Sequence, residues 1–372
     1  MKILFVINSS NNGGAIKMIV ALYREVKRHF PQSKIVFLKK IESQYSNIED
    51  AYYLSDELSS LADYYIVYKR LKAVMIDEKP DALISFLPLA NIFTSVIGRS
   101  LGIKYRVASQ RNPPQIYGKV VRMLDRYLGS RGYYTANVCN SRAGMDAFGA
   151  YPASYKKHLS VINNCVEEPD FSLSKTEAKI RMGMPSGKTI LTCVGRLHEQ
   201  KNHEVIVKAM KHLDDAVLYL GGDGPLKEEI SGLIRSEGVD DKVVMLGDLD
   251  REQVRLLLRA SDVFLIPSRY EGLSNSLLEA MSYGLPVICS NIPSFTDFLR
   301  LENGLEPDYA GMVIENNDDR EWATGIRQMI RNDELLERYH RRSLDKVADL
   351  SPQKMASRFL KLLGVQEKEY VG

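Results

Sequence analysis

Cysteine is scarce in this 372-residue chain. The four present, Cys139, Cys165, Cys193 and Cys289, lie far apart and contain no C-x-x-C pair. That spacing suits neither a disulfide framework nor a zinc site, and it fits reduced cytosolic thiols. Long apolar runs are missing as well. No uncharged stretch is longer than Ala82 to Gly98, which is broken by Pro88 and Asn91 and falls short of the roughly 20 apolar residues needed to cross a bilayer. The run Ile3–Ile7 is too short for a signal-peptide core with its cleavage site, and it is right for a buried first strand. These absences predict a cytoplasmic protein without a transmembrane segment. There is no low-complexity segment, no short repeat and no G-x-G-x-x-G fingerprint, which argues against a dinucleotide site.

What is present is ordinary for a folded protein. Hydrophobic residues make up 45% and charged residues 26%, a balance that argues against disorder. The length suggests two domains, each large enough to bury a core. The net charge of +3 hides an asymmetry: residues 1–165 hold 23 Lys+Arg against 12 Asp+Glu, and the remainder 27 against 35. One reading is a basic half that faces an anionic partner; the other is a solvated basic surface.

Short apolar runs alternate with amphipathic segments. The expected strands are Ile3–Ile7, Lys34–Leu38, Ala82–Leu87, Tyr105–Ala108 and Ala136–Cys139, then Thr189–Val194, Ala216–Leu220, Lys242–Leu246, Val263–Ile266 and Pro286–Cys289. Helical patterns such as Ala15–Phe30, His203–Leu213, Lys227–Glu237 and Arg251–Ala260 lie between them. Such alternation implies parallel sheets wound by right-handed crossovers. The series restarts near residue 186, so two sheets are expected, with a linker at Ile162–Asp170 and a last helix at Pro352–Leu363.

Three motifs lie at expected strand ends, where open α/β sheets bind ligands. Asn11-Asn12-Gly13-Gly14-Ala15 follows the first strand and opens a helix, so backbone amides there could approach a phosphate; a plain tight turn explains the residues equally well. Gly195-Arg196-Leu197 with Lys201-Asn202 could clamp a diphosphate, arginine as a planar fork and lysine as a point charge, or could be solvated cations. Glu271-Gly272-Leu273-Ser274-Asn275-Ser276-Leu277-Leu278-Glu279 places one carboxylate on a loop and one in a helix. These could hold hydroxyls at either end of a donor, with the amides of Gly272 to Ser276 on the phosphates between them. The alternative is that Ser276 and Glu279 form a capping box.

With these residues the chain resembles the family 4 retaining glycosyltransferases of the GT-B fold. The signature is Glu271 and Glu279 within E-G-L-x-N-S-L-L-E-A-M, joined by Gly195-Arg196-Leu197 with Lys201-Asn202, by Gly222-Asp223-Gly224-Pro225 and by Gly284-Leu285-Pro286-Val287. The resemblance covers nearly the whole chain. It implies two Rossmann-like parallel-sheet domains facing across a cleft. Residues 1–165, with a return helix in 352–372, would bind the acceptor, and residues 166–351 the nucleotide-sugar donor. Arg196 and Lys201 would neutralise the donor diphosphate, Glu271 would contact the transferred sugar and Glu279 the ribose. Gly13 and Gly14 would lie near the β-phosphate, and Gly247 to Leu249 would border the base. The donor is expected to be a UDP-sugar carrying a hexose or N-acetylhexosamine, and the acceptor a lipid-linked or free saccharide in surface polysaccharide or glycoconjugate synthesis. Neither a cofactor nor a nucleic-acid partner is expected, the nucleotide-sugar being a substrate.

One position departs from the pattern. Arg111, in Ala108-Ser109-Gln110-Arg111-Asn112-Pro113, stands where many relatives carry a histidine beside the transferred sugar. It reads as a subfamily variant on the donor side, and none of the six histidines takes that place; His198 is read as a surface residue. Asp248-Leu249-Asp250 is D-x-D, a metal motif in another glycosyltransferase fold, but Asp250 suits an N-cap and no metal site is expected. In Ile116–Arg131, Val120, Val121, Leu124, Tyr127 and Leu128 form an apolar stripe and Lys119, Arg122 and Arg126 a basic one. This is either a helix on an anionic membrane surface or an ordinary packed helix with a solvated face. No pair of carboxylates flanks an anomeric carbon as in double displacement, so same-face attack is expected. Two rivals are a nucleotide-sugar epimerase or hydrolase of the same architecture and an NAD-dependent dehydrogenase, since doubly wound domains host both.

Overall fold

Five consecutive apolar residues open the first strand, a pattern suited to a parallel strand covered on both faces. In the computed structural model, which describes residues 1–301, 308–316 and 318–366, this strand is β1 (Ile3–Ser9). Its alternate side chains divide between two cores. Ile3, Phe5 and Ile7 meet α1 (Gly14–His29), while Leu4 and Val6 meet α2 (Leu61–Glu78) and α3 (Pro88–Ser100). Around β1 lie β2 (Lys34–Lys39), β3 (Ala51–Tyr53), β4 (Ala82–Phe86), β5 (Tyr105–Gln110), β6 (Ala136–Cys139) and β7 (Leu159–Val161). The seven strands run in the order β3-β2-β1-β4-β5-β6-β7, all pairs parallel.

This sheet belongs to a unit formed by Met1–Cys165 and the segment from Pro352. The helix Pro352–Leu362 lies against α1. Its Met355, Ala356, Phe359 and Leu360 are buried in the same core as β1, and the Phe359 ring stacks on Phe86 at 6.0 Å. Residues 367–372 of the expected return segment lie outside the described residues.

The second unit is Val166–Ser351. Its parallel sheet contains β8 (Thr189–Val194), β9 (Ala216–Gly221), β10 (Val243–Gly247), β11 (Val263–Ile266) and β12 (Val287–Ser290). The order is β10-β9-β8-β11-β12, followed by the edge strand Met312–Ile314. Trp322 is fully buried beneath it, among Ile206, Met210, Ile326 and Met329. Both units are thus Rossmann-like, with helices packed on a parallel sheet. Among the described residues, no helix is long and apolar enough to cross a membrane.

The helix α4 (Lys119–Ser130) turns most of its apolar stripe outward. Of the apolar stripe, Leu128 is buried and Val121 half-buried, but Val120, Leu124 and Tyr127 are 65%, 39% and 55% exposed. The anchor is polar instead. The buried Asp125 carboxylate accepts from Tyr134 and Gln110 at 2.9 Å and from Tyr155 at 2.7 Å, although burial raises its pKa. Three donors around one carboxylate fix the rotation of the helix about its axis and turn the stripe outward. Lys119 and Arg126 are exposed beside it, and Arg122 is half-buried.

Candidate active site

The geometry of the second unit is set by two loops at the carboxyl ends of β8 and β11. After β8 the chain makes a 3-10 turn, Glu199–Lys201. His198 caps that turn, its Nδ1 accepting from the Gln200 amide at 3.3 Å. Asn202 follows with φ 51°, a left-handed conformation that asparagine tolerates. Its side chain donates to the Pro267 carbonyl at 3.2 Å and accepts from Arg269 at 3.2 and 3.3 Å. The Arg269 amide donates to the Gln200 carbonyl at 2.8 Å, and the Gln200 side chain donates to the Tyr270 carbonyl at 3.0 Å. These bonds fasten the loop after β8 to the loop after β11.

The result is a close ion pair. Lys201 Nζ donates to Glu271 Oε1 at 2.5 Å, and Ser268 Oγ donates to the same oxygen at 3.0 Å. The lysine and glutamate side chains are only 17% and 9% exposed, so their interaction is less screened than a surface pair. A Cβ on Gly195 would meet Lys201 Cε at 3.2 Å, so the lysine stem lies along the strand end. Arg196 is exposed.

A third loop supports these two. Gly222 has φ +139°, and a Cβ there would meet the Gly195 carbonyl oxygen at 2.1 Å. A Cβ on Gly224 would lie 2.4 Å from the Leu197 carbonyl oxygen. Only glycine allows this backbone-on-backbone approach. Gly247 has φ +73°, and its carbonyl accepts from the Gly222 amide at 2.7 Å. Leu249 packs against Gly221, where a Cβ would meet its Cδ1 at 2.7 Å. Asp250 caps the helix Arg251–Ala260 in a capping box with Gln253. Among the described residues, no group of three His, Cys, Asp or Glu is placed to hold a metal.

The helix Asn275–Ser282 begins one residue beyond Ser274, its N-cap, which makes no side-chain cap bond. The S-x-x-E box read at Ser276 and Glu279 therefore does not form: Ser276 already lies within the first turn, and its Oγ is 3.1 Å from Ser274 Oγ. Glu279 lies inside the helix and half-buried, on the turn after Gly272, Leu273, Ser274 and Asn275. First-turn amides without a side-chain cap suit an anion.

In the first unit, Gly13 is the N-cap of α1, again without a side-chain cap, and Gly14 is the first helical residue. Gly13 has φ −162°, an extended conformation open to any residue, and a Cβ there would meet only Asn11 Oδ1 at 3.8 Å. Arg111, just past β5, is buried. Its guanidinium stacks 3.7 Å from the Phe86 ring centroid, and Nη1 donates to Asn164 Oδ1 at 2.6 Å. Burial without a carboxylate partner pushes its pKa down to about 9. Sequence reading passed over Arg269 and Ser268, which position the ion pair, and His203, which is buried beside it. Only the polar character of the strand-end loops could have marked them.

Residues 174–345 match the family model described as "Glycosyl transferases group 1". EpsF of Bacillus subtilis, named as a glycosyltransferase, is 27% identical over 315 residues, covering 78% of this chain and 79% of that protein. A Campylobacter jejuni protein named GalNAc-alpha-(1->4)-GalNAc-alpha-(1->3)-diNAcBac-PP-undecaprenol alpha-1,4-N-acetyl-D-galactosaminyltransferase is 24% identical over 345 residues, 90% of each chain. Among solved structures, Anabaena Alr3699/HepE in complex with UDP and glucose matches with a TM-score of 0.83 at 16% identity, covering 98% of this chain and 99% of that one. The family model falls on the unit that holds the Lys201–Glu271 pair, and the shared fold extends over both units. Both units thus share the GT-B fold of these solved glycosyltransferases, and residues 174–345 match the group 1 glycosyl transferase family.

Proposed function

We propose that the chain transfers a hexose or N-acetylhexosamine from a UDP-sugar to a saccharide, carried on a polyprenyl diphosphate or free, with retention of anomeric configuration and without a metal. The observation that carries this reading is the meeting of Lys201 and Glu271 at the ends of β8 and β11. The cation would pass from the carboxylate to the donor diphosphate, joined by Arg196, as charge develops on the leaving group. Glu271 would then be free to accept from sugar hydroxyls. Glu279 would hold the ribose, the amides of Gly272 to Ser276 and of Gly13 and Gly14 the phosphates, and Gly247 with Leu249 the base. Arg111 would act on the donor side through the strand end it supports.

In the proposed step, the acceptor hydroxyl oxygen bonds to the anomeric carbon on the face that the diphosphate leaves. The bond from the anomeric carbon to the phosphate oxygen breaks, and that oxygen takes the acceptor proton. UDP departs. The lipid-linked acceptor is suggested by the name of the Campylobacter relative, and UDP by the Anabaena complex. The first unit would then bind the acceptor and the second the donor.

The test is transfer from a panel of UDP-sugars to a short polyprenyl-diphosphate saccharide in EDTA, with product anomers read by NMR. Activity should persist at its full rate with retained configuration, since Arg196 and Lys201 supply the charge that a metal would otherwise provide. Complete loss of activity in EDTA, restored by Mn²⁺, would transfer the role to Asp248 and Asp250.

The exposed apolar and basic residues of α4 suit an anionic lipid surface, where such an acceptor would be met. Changing Lys119, Arg122 and Arg126 together to Gln should lower partition onto anionic vesicles roughly a hundredfold, at about 1 kcal/mol per residue. Nucleotide binding should be unchanged. Vesicle co-sedimentation measures this, and added salt should mimic the change by screening. Equal binding of the native chain to neutral and anionic vesicles would reject it.

A further inference from the structure

A cavity of about 390 Å³ lies beside the Lys201 turn, lined from the helices His203–Ala209 and Lys227–Glu237. That volume is in the range of small-ligand sites. Ile230, Leu226 and Leu233 give it an apolar wall, and the exposed Glu199 and Glu229 stand at its rim. His203 also lines it. The residue is only 2% exposed, yet neither Nδ1 nor Nε2 has a protein partner. Buried polar atoms are nearly always paired. Burial first, and Lys201 second, push its pKa down to about 4, so the ring is neutral and offers one donor and one acceptor.

The charge at the rim decides the ligand class. Glu204 is neutralised by Lys208 at 2.5 Å, whereas Arg269, which donates to the neutral Asn202 side-chain oxygen, keeps its positive charge. Glu199 and Glu229 have no ion pair among the described residues. Glu199 and Glu229 set against Arg269 leave one excess negative charge at the rim, which favours an ammonium over a phosphate or carboxylate. Hydroxyl groups both donate and accept, so they match the two nitrogens of a neutral imidazole. The apolar wall suits the carbon face of a pyranose ring.

We propose that this cavity binds a small polyhydroxylated amine of the amino-sugar class. The cavity adjoins the loops that hold the Lys201–Glu271 pair, sharing Glu199 and Arg269 with them, but neither Lys201 nor Glu271 lines it, so its occupancy is measured apart from the donor reading. The test is thermal unfolding of the full chain titrated with D-glucosamine, D-glucose and D-glucose 6-phosphate at constant ionic strength. Glucosamine should raise the midpoint saturably by about 3 °C or more. Glucose should bind about tenfold more weakly, and the phosphate should have no effect. Leu233→Trp, which fills the cavity, and His203→Phe, which removes both nitrogens, should abolish the response. Should either fail to fold, the exposed double change Glu199→Gln with Glu229→Gln keeps the core and should weaken glucosamine roughly tenfold. Titration with UDP alone reports separately on the donor site. No saturable stabilisation, an equal response to the neutral or phosphorylated sugar, or full binding by the Gln double variant would each overturn the proposal.

Discussion

Lys201→Ala is expected to lower kcat by about a hundredfold or more, the scale for removing one preorganised charge contact from a transition state. Arg196→Ala should do the same, but the two variants should differ in stability. Arg196 is exposed, and its loss should leave the melting midpoint unchanged. Lys201 neutralises a carboxylate that is only 9% exposed. Without it, Glu271 keeps a single neutral donor, Ser268, and the fold should lose about 1–3 kcal/mol. The double variant Lys201→Ala with Glu271→Ala should recover most of that stability and none of the turnover. Steady-state kinetics on both single variants, with calorimetry on the set, checks each part. Near-normal transfer by Lys201→Ala would detach the ion pair from the reaction.

Gly224→Ala should be nearly as damaging, although the residue carries no functional group. The added carbon would lie 2.4 Å from the Leu197 carbonyl oxygen and 2.8 Å from its nitrogen. Both are backbone atoms, so one loop must move. The Leu197 amide donates to the Asp223 carbonyl at 3.0 Å, and the Leu226 amide to the Leu197 carbonyl at 3.1 Å. The shift therefore reaches Arg196 directly. A misplacement of about 1 Å near a reacting group costs roughly a hundredfold, and that loss in kcat/KM is the expected result. Gly232→Ala is the control. It lies in the helix Lys227–Glu237, and its Cβ would meet nothing within 4 Å. That change should stabilise the protein by about 0.5–1 kcal/mol and leave turnover intact. Equal activity in the two variants would show that the loop tolerates displacement.

Where a residue pattern is local and strong, the sequence is a good guide to this fold. Thr189–Val194 and Val263–Ile266 are apolar runs bounded by turns, and the structure has β8 and β11 at those limits. Arg251–Ala260 carries its own start signal in Asp250, and the helix begins there. The strands Ala51–Tyr53, Leu159–Val161 and Met312–Ile314 have three residues each. They were not legible, because so short a run carries no period. The pattern His203–Leu213 reads as one helix, yet it tightens into a 3-10 turn at Met210–His212. At the site, the motif positions are visible in the sequence but their assembly is not. Lys201 and Glu271 stand 70 residues apart. What joins them is the left-handed Asn202 and the Arg269 side chain bonded to it, neither of which any pattern marks. The rotation of α4 was equally hidden, since Asp125 looks like one more charged residue until Tyr134 and Tyr155 are placed around it.

The helix Pro352–Leu362 gives the two units different histories on the ribosome. Everything the second unit needs lies in one continuous segment, Val166–Ser351. The first unit shares its core with Met355, Phe359 and Leu360, which are synthesised after the whole second unit. At elongation rates of about 5–20 residues per second, the seven-stranded sheet waits roughly ten seconds or more with the apolar face of α1 uncovered. The second unit therefore has its whole core synthesised before the first unit does, although its translation begins later. A chain truncated after Ser351 should show a protease-resistant second unit beside a first unit that is still cleaved.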